Sequence, residues 1–398
     1  MGHNPPAMAA SRPQLSTLTF PALTGLRALA AALVFFFHWF FTHADRLPLL
    51  LRAPFAVGYV GVPIFFALSG FLITLRYGPL FLDDEKWGWA AYGRYYWRRI
   101  IRIVPLYLLV LLLFVFAFGR PKNMMPADAR QTVILLTLSQ AFFVDTRLIG
   151  TTVGWTLTLE MVYYAVAPLL VRFVGVEQPW LRLWGRTVLL LALGLLLVWG
   201  LAQVPAGAHP HLFLAGEPLP LITHYSFWGQ LGAFLSGQLA ATALLQKQTR
   251  NRLAGWGASL SNGATVALYG ALVWLALDDG ELGSASNHAL VLLIAGLASV
   301  LILGLALLRL QDSSTLLTRV LRSRLLVYLG LISFALYLVQ LTEPVQWLYW
   351  VGLGVHAGVE DQVWRAVLLY GLVTGLALLL FELVEKPLHQ RLRRYFRR

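Results

Sequence analysis

The chain has 398 residues, 58% of them hydrophobic and only 12% charged, with a formal net charge of +13 and no cysteine. That charged share is about half the usual value for soluble domains, and the mean hydropathy of +0.69 argues against a soluble globular protein. The absence of cysteine excludes disulfides, thiolate metal sites and a cysteine nucleophile.

Continuous apolar runs of about 17 residues or more recur along the chain, the length a helix needs to span a bilayer. They do not alternate, so helices rather than barrel strands are expected. The fold class is therefore all-α, a polytopic membrane bundle of about ten transmembrane helices with both termini cytoplasmic. The expected spans are roughly 22–41, 57–76, 103–119, 153–171, 187–203, 225–245, 263–277, 289–308, 325–347 and 363–384. Assigned this way, 23 of the 31 Lys and Arg fall inside and 7 outside, with Arg27 within the first span. This asymmetry follows the positive-inside rule, so the positive charge reads as a cytoplasmic skirt and not as a nucleic-acid surface. Residues 1–18 read as a flexible cytoplasmic tail, 19–385 as one membrane domain, and 386–398 as a basic cytoplasmic tail able to touch anionic lipid.

In chain order, the first candidate site lies in LTGLRALAAALVFFFHWFF (23–41). Arg27 and His38 are eleven residues apart, three helical turns, so they share a face about 16 Å apart along the axis. An ionisable group in a span is costly and usually lines a cavity or a reaction path. The pair suggests an anion clamp below a catalytic base; a snorkelling Arg and an interfacial His are the plainer alternative. The bulky HWFFTHADR that follows has no small-residue cleavage site, so the segment reads as a span and not a signal peptide. In GVPIFFALSGFLIT (61–74), Pro63 and Gly70 predict a kinked or thinned helix, and Ser69 with Gly70 allows close approach of a ligand or a neighbouring helix.

RYYWRRIIRIVPLY (94–107) is the densest cytoplasmic charge cluster. Arg98, Arg99 and Arg102 fall at i, i+1 and i+4, placing Arg98 and Arg102 on one face. Arginine forks suit phosphate oxygens, and Tyr95, Tyr96 and Trp97 can stack on a nucleobase. A positive-inside anchor with belt aromatics explains the same residues. Pro105 marks the entrance to the third span, and Tyr107 follows it. TVILLTLSQAFF (132–143) is too short to cross and reads as re-entrant or interfacial on the outer side.

In GWTLTLEMVYYAVAPLL (154–170), Glu160 lies about two turns below the outer end of its span. It is at a depth similar to His38. If the helices adjoin, Glu160 can orient the imidazole and raise its basicity; a packing carboxylate bonded to Tyr or Ser is the alternative. Trp155, Tyr163 and Tyr164 belong to the same segment. In YLGLISFALYLVQLTEP (328–344), Ser333, Tyr337 and Gln340 form a polar stripe on one face, for acceptor binding or interhelical hydrogen bonds. His209, His211 and His224 lie outside the membrane without a nearby carboxylate set, and no metal site is expected.

LRALAAALVFFFH, VPIFFALSGFLI, RRIIRIVPLY, WTLTLEMVYY and LGLISFALYLVQ, in this order, resemble the acyltransferase 3 family of integral-membrane acyltransferases. The resemblance extends from residue 26 to about 344. It implies transfer of an acyl group, often acetyl, from cytoplasmic acyl-CoA to a hydroxyl of a glycan or similar acceptor. It marks Arg27 and His38 as the first-helix pair, Arg98 and Arg102 as the basic motif, and Glu160 as the mid-chain acid. Many members have His where Gln340 stands, a second acid where Met161 stands and Asp where Pro63 stands.

Sequence and resemblance together give one expected path. Arg98, Arg99 and Arg102 hold the donor's phosphates and Arg27 clamps the arm. His38, oriented by Glu160, takes the acceptor's proton or carries the acyl group transiently. Tyr107, Trp155, Tyr163, Tyr164 and Ser69 position the reactants or stabilise an oxyanion. Expected partners are acyl-CoA, a hydroxyl acceptor, the lipid bilayer, and a second copy of the chain or a polysaccharide-assembly protein. The expected location is the bacterial inner membrane. A transporter or flippase for a small anion or lipid-linked sugar is the competing class, against which the missing internal repeat argues. A non-catalytic membrane partner in polysaccharide export is a third.

Overall fold

The computed structural model describes residues 15–40, 48–113, 125–205, 216–278, 284–348 and 359–395. These residues form helices and no strand. In chain order they are α1 (Pro21–Phe40), α2 (Leu49–Ala56), α3 (Gly61–Leu82), α4 (Trp89–Val110), α5 (Ala129–Leu136) and α6 (Gly154–Val174). Then come α7 (Trp180–Ala202), α8 (Leu219–Tyr225), α9 (Phe227–Leu245), α10 (Lys247–Leu253), α11 (Gly257–Leu277) and α12 (Ala285–Leu310). The chain continues through α13 (Leu316–Leu321), α14 (Arg324–Val339), α15 (Glu343–Trp347) and α16 (Val359–Leu380). A π-helical turn, Phe381–Glu385, leads from α16 into α17 (Lys386–Tyr395).

Among the described residues, seven helical stretches are long and apolar enough to cross a membrane: Pro21–Trp39, Gly58–Leu82, Gly154–Val174, Trp180–Ala202, Lys247–Leu277, Ala285–Leu310 and Val363–Leu388. Two of the ten expected spans, 225–245 and 325–347, do not meet that standard: α9 is diluted by Gln230, Ser236 and Gln238, and α14 has 16 residues. A third, 103–119, runs past residue 113 and lies partly outside the described residues. The expected flexible tail falls mostly on residues 1–14, outside the described residues, as do His209 and His211. Lys386–Tyr395, read as a basic tail, is a helix.

α3 is the centre of the bundle, with 78% of its apolar window buried, whereas 17% of α7 is buried. An apolar surface left unburied in such a chain is the face a bilayer covers. α3 packs most closely on α9, and the reason is legible in two glycines. A Cβ at Gly70 would collide with the Phe234 carbonyl, and one at Gly237 with that of Ala67. Small residues let membrane helices approach backbone to backbone, where dispersion replaces the missing hydrophobic drive. This bears on the dual reading of Gly70: its contact is a helix. α1 and α14 are joined the same way, with Gly330 against the Thr24 carbonyl.

One local expectation is corrected. Pro63 does not kink α3, because it lies in the first turn, where the backbone N–H has no intrahelical partner to lose. α4 starts at Trp89 and holds Pro105 within it, so the helix begins well before the expected third span. The 132–143 segment forms α5 and a 3₁₀ turn, Gln140–Phe142. Eight residues rise only about 12 Å, so α5 does not cross. It is tied to the bundle by Thr158, whose hydroxyl donates to the Leu138 carbonyl at 2.9 Å.

Candidate active site

A cavity of about 80 Å³ opens between α1, α3, α4, α6 and α14. Its polar lining includes Arg27, Arg76, Arg99, Arg102, Ser69, Thr156, Glu160, Tyr164, Ser333 and Tyr337. Phe65, Phe66, Leu72 and Phe334 form apolar wall. Each helix contributes the residues its register turns inward. On α3, Ser69 and Arg76 are seven residues apart, two turns, and share a face.

Glu160 is held firmly. The Ser69 hydroxyl donates to its Oε1 at 2.8 Å, and the Tyr164 hydroxyl donates to the same oxygen in a short bond. Tyr164 is one turn further along α6, the i, i+4 relation. Arg99 is enclosed by rings. It donates to the Tyr77 hydroxyl at 2.8 Å, and its guanidinium stands 4.9 Å from the Tyr77 ring, 5.7 Å from Tyr95 and 5.6 Å from Tyr164. Arg27 stands 5.9 Å over the Phe65 ring, within cation–π range. The Nε atoms of Arg27 and Arg99 are buried and have no hydrogen-bond partner. Unmet donors of this kind are costly in a low-dielectric site and suit an incoming anion.

Glu160 and Glu385 both lie close enough to Arg27 and Arg102 to act on their charges. Guanidiniums lining the cavity number four, counting the exposed Arg76, against one carboxylate lining it, Glu160. The lining therefore joins an excess of positive charge to apolar walls.

The structure sorts the expected site residues. Arg27, Ser69, Arg99, Arg102, Glu160, Tyr164, Ser333 and Tyr337 meet at the cavity. Arg98 does not line it: the side chain is exposed, and Arg99 with Arg102, an i, i+3 pair, faces inward instead. Tyr107 is fully buried, donating to the Leu135 carbonyl at 2.8 Å and to Gln140 Oε1 at 3.0 Å. It anchors the α5 segment and does not border the cavity. Tyr163 is stacked on Phe234 at 4.3 Å. Trp155 packs on His224 at 5.2 Å and Tyr225 at 4.9 Å. Tyr337 shares a 2.9 Å hydrogen bond with Thr156, and Ser333 donates to the Gly330 carbonyl. Gln340 is fully buried, its carbonyl accepts from the Trp39 indole at 3.1 Å, and both polar atoms of its side chain lack a partner.

His38 lies outside the cavity lining, with an exposed side chain. Its Nδ1 is 2.7 Å from the Val34 carbonyl. A carbonyl only accepts, so Nδ1 carries the proton and Nε2 keeps its lone pair free. The group that orients the imidazole is thus its own helix backbone and not Glu160, whose partners are Ser69 and Tyr164. Arg76 and Glu385 are not among the residues expected from the sequence; the two-turn spacing of Arg76 from Ser69 is the signal that finds it.

A family model described as an acyltransferase domain matches residues 20–382 of the chain. The chain belongs to the acyltransferase 3 family. The matched region contains every helix that lines the cavity. The chain is 24% identical over 390 residues to the peptidoglycan O-acetyltransferase OatA of Listeria monocytogenes, covering 93% of this chain and 56% of that protein. It is 29% identical over 197 residues to the acyltransferase MdmB of Streptomyces mycarofaciens, covering 47% of this chain and 48% of that protein. The chain therefore spans about half the length of the curated relatives it matches. No solved structure matches it.

Proposed function

We propose that this family member transfers an acyl group, acetyl in the first instance, from cytoplasmic acyl-CoA to a hydroxyl of a glycan or similar acceptor. The observation that carries the reading is the convergence of Arg27, Arg99 and Arg102 on one cavity, with buried guanidinium donors left unpaired. Phosphates of the donor are the natural partners of such forks. The relatives named as an O-acetyltransferase and an acyltransferase support the reaction class. The excess of basic residues on one side supports a cytoplasmic donor site, with both termini on that side and about ten crossings in all.

In this reading the donor's anionic groups rest on Arg99 and Arg102, and Arg27 clamps the arm as it rises along α1. His38 stands eleven residues beyond Arg27, about 16 Å along the helix, a distance the long pantetheine arm bridges. Nε2 of His38 accepts the proton of the acceptor hydroxyl, and the oxygen attacks the thioester carbonyl. The C–S bond breaks, and the departing thiolate takes the proton back from the imidazolium. General-base help of this kind is typically worth about 10²–10⁴-fold. Glu160, fixed by Ser69 and Tyr164, holds the arginines in place electrostatically and does not touch His38. Ser333, Tyr337 and Gln340 guide the acceptor, in a multi-pass protein of the bacterial inner membrane.

The test is binding of acetyl-CoA and free CoA to the purified protein in detergent, beside an Arg99→Gln/Arg102→Gln double variant. Binding that disappears in the folded double variant is the expected result. Absence of binding to folded wild type would overturn the donor assignment and favour transport of another anion.

A further inference from the structure

The C-terminal end of the bundle holds a carboxylate that the proposed reaction does not use. Glu385 closes the π-helical turn Phe381–Glu385, and π-turns inside α-helices recur at functional sites. The wider turn separates neighbouring charges. Glu382 faces outward, where it pairs with Lys386 and accepts from the Tyr328 hydroxyl at 2.9 Å. Glu385 faces inward, with only 7% of its surface exposed. Its Oε2 is buried without a hydrogen-bond partner. Arg102 and Arg27, two of the arginines lining the cavity, are close enough to favour its ionised form against the cost of burial. This turn packs against α4, the helix carrying Arg99 and Arg102.

A buried carboxylate with no hydrogen bond to its Oε2 is expensive, and structural carboxylates are normally bonded. Glu160, with two hydroxyl donors, is the contrasting case in the same site. Glu385 interacts with the arginines through the field and not through a closed ion pair. It therefore offsets their charge without filling their donor positions.

We propose that Glu385 is a built-in counter-anion of the donor site, which offsets part of the charge of Arg27 and Arg102 in the empty protein and opposes the phosphates of the donor when they arrive. It is a positioning and affinity-setting residue, not a catalytic one. Its effect is to cap the affinity for CoA, so that the spent carrier leaves after transfer. The inference rests on the donor reading above.

The experiment measures CoA affinity of purified wild type, Glu385→Gln, Glu385→Asp and Arg102→Gln, with thermal midpoints taken alongside. Repulsion between charges roughly 10 Å apart at an effective dielectric of about 20 corresponds to tighter CoA binding on the order of tenfold in Glu385→Gln. Glu385→Asp keeps the charge and is expected to bind as wild type does; Arg102→Gln is expected to lose affinity. A merely structural carboxylate would give weaker binding, or none of these changes, in Glu385→Gln. Unchanged or weakened CoA binding there, with loss in Arg102→Gln, overturns the counter-anion role and leaves the donor site standing. No CoA binding to folded wild type or to Glu385→Gln overturns both. Should Glu385→Gln fail to fold, Glu385→Leu replaces it, since an apolar side chain of similar size suits a site without partners; the same affinities decide.

Discussion

The two ends of α1 carry two kinds of surroundings. Around Arg27 the space is enclosed: aromatic faces, unpaired guanidinium nitrogens and a carboxylate fixed by two hydroxyls. Around His38 the side chain is exposed and its one hydrogen bond runs to its own backbone. The difference follows from what each end is proposed to do. Holding a polyanion requires charges kept out of water, where their fields are strong. Accepting a proton requires a lone pair that a substrate can reach, with the other nitrogen fixed. One helix serves both because three turns separate the two environments.

The sharpest way to break this contrast is to remove the imidazole. His38→Ala should lower turnover by about 10²–10⁴-fold while leaving the CoA dissociation constant unchanged; transfer at the wild-type rate would end the base assignment. The opposite split belongs to the inner end. Arg99→Gln/Arg102→Gln should weaken CoA binding on the order of 10²-fold, from charged hydrogen bonds worth about 1.5–3 kcal/mol each. Titrations at several salt concentrations should also show a flatter dependence in that variant than in wild type.

A finer comparison is between neighbours on α4. Arg98 is exposed and Arg99 is buried at the cavity. Arg98→Gln should therefore change CoA affinity by less than about fivefold, the scale of a surface charge interaction near 1 kcal/mol. An effect equal to that of Arg99→Gln would place the donor along the outer face of α4. The smallest change is expected from Tyr107→Phe, which removes the hydroxyl bonded to Leu135 and Gln140. It should cost about 1 kcal/mol of stability, read as a lower thermal midpoint, with CoA affinity unaltered.

Hydrophobic run length and the spread of Lys and Arg were enough to announce a helical membrane bundle, because the bilayer leaves few alternatives for backbone hydrogen bonds. Five short motifs in order were enough to point to the family. Arg27, Ser69, Arg102, Glu160 and Tyr164, candidates from the sequence, do line the cavity, because polar groups within apolar helices must face protein or a cavity. Periodicity says which residues share a face, but not which face turns inward. Arg98 and Arg102 share one, yet α4 is rotated so that Arg99 and Arg102 meet the cavity. Depth along two helices likewise does not say that they touch, and Glu160 met Ser69 and Tyr164 in place of His38. Glu385, more than 350 residues from Arg27 in sequence, had no local signal at all. Composition and periodicity are properties of single segments, so they determined the helices and their chemistry. Helix rotation and neighbour choice depend on packing between distant segments, here through contacts such as Gly70 with Phe234, and only the tertiary structure decided them.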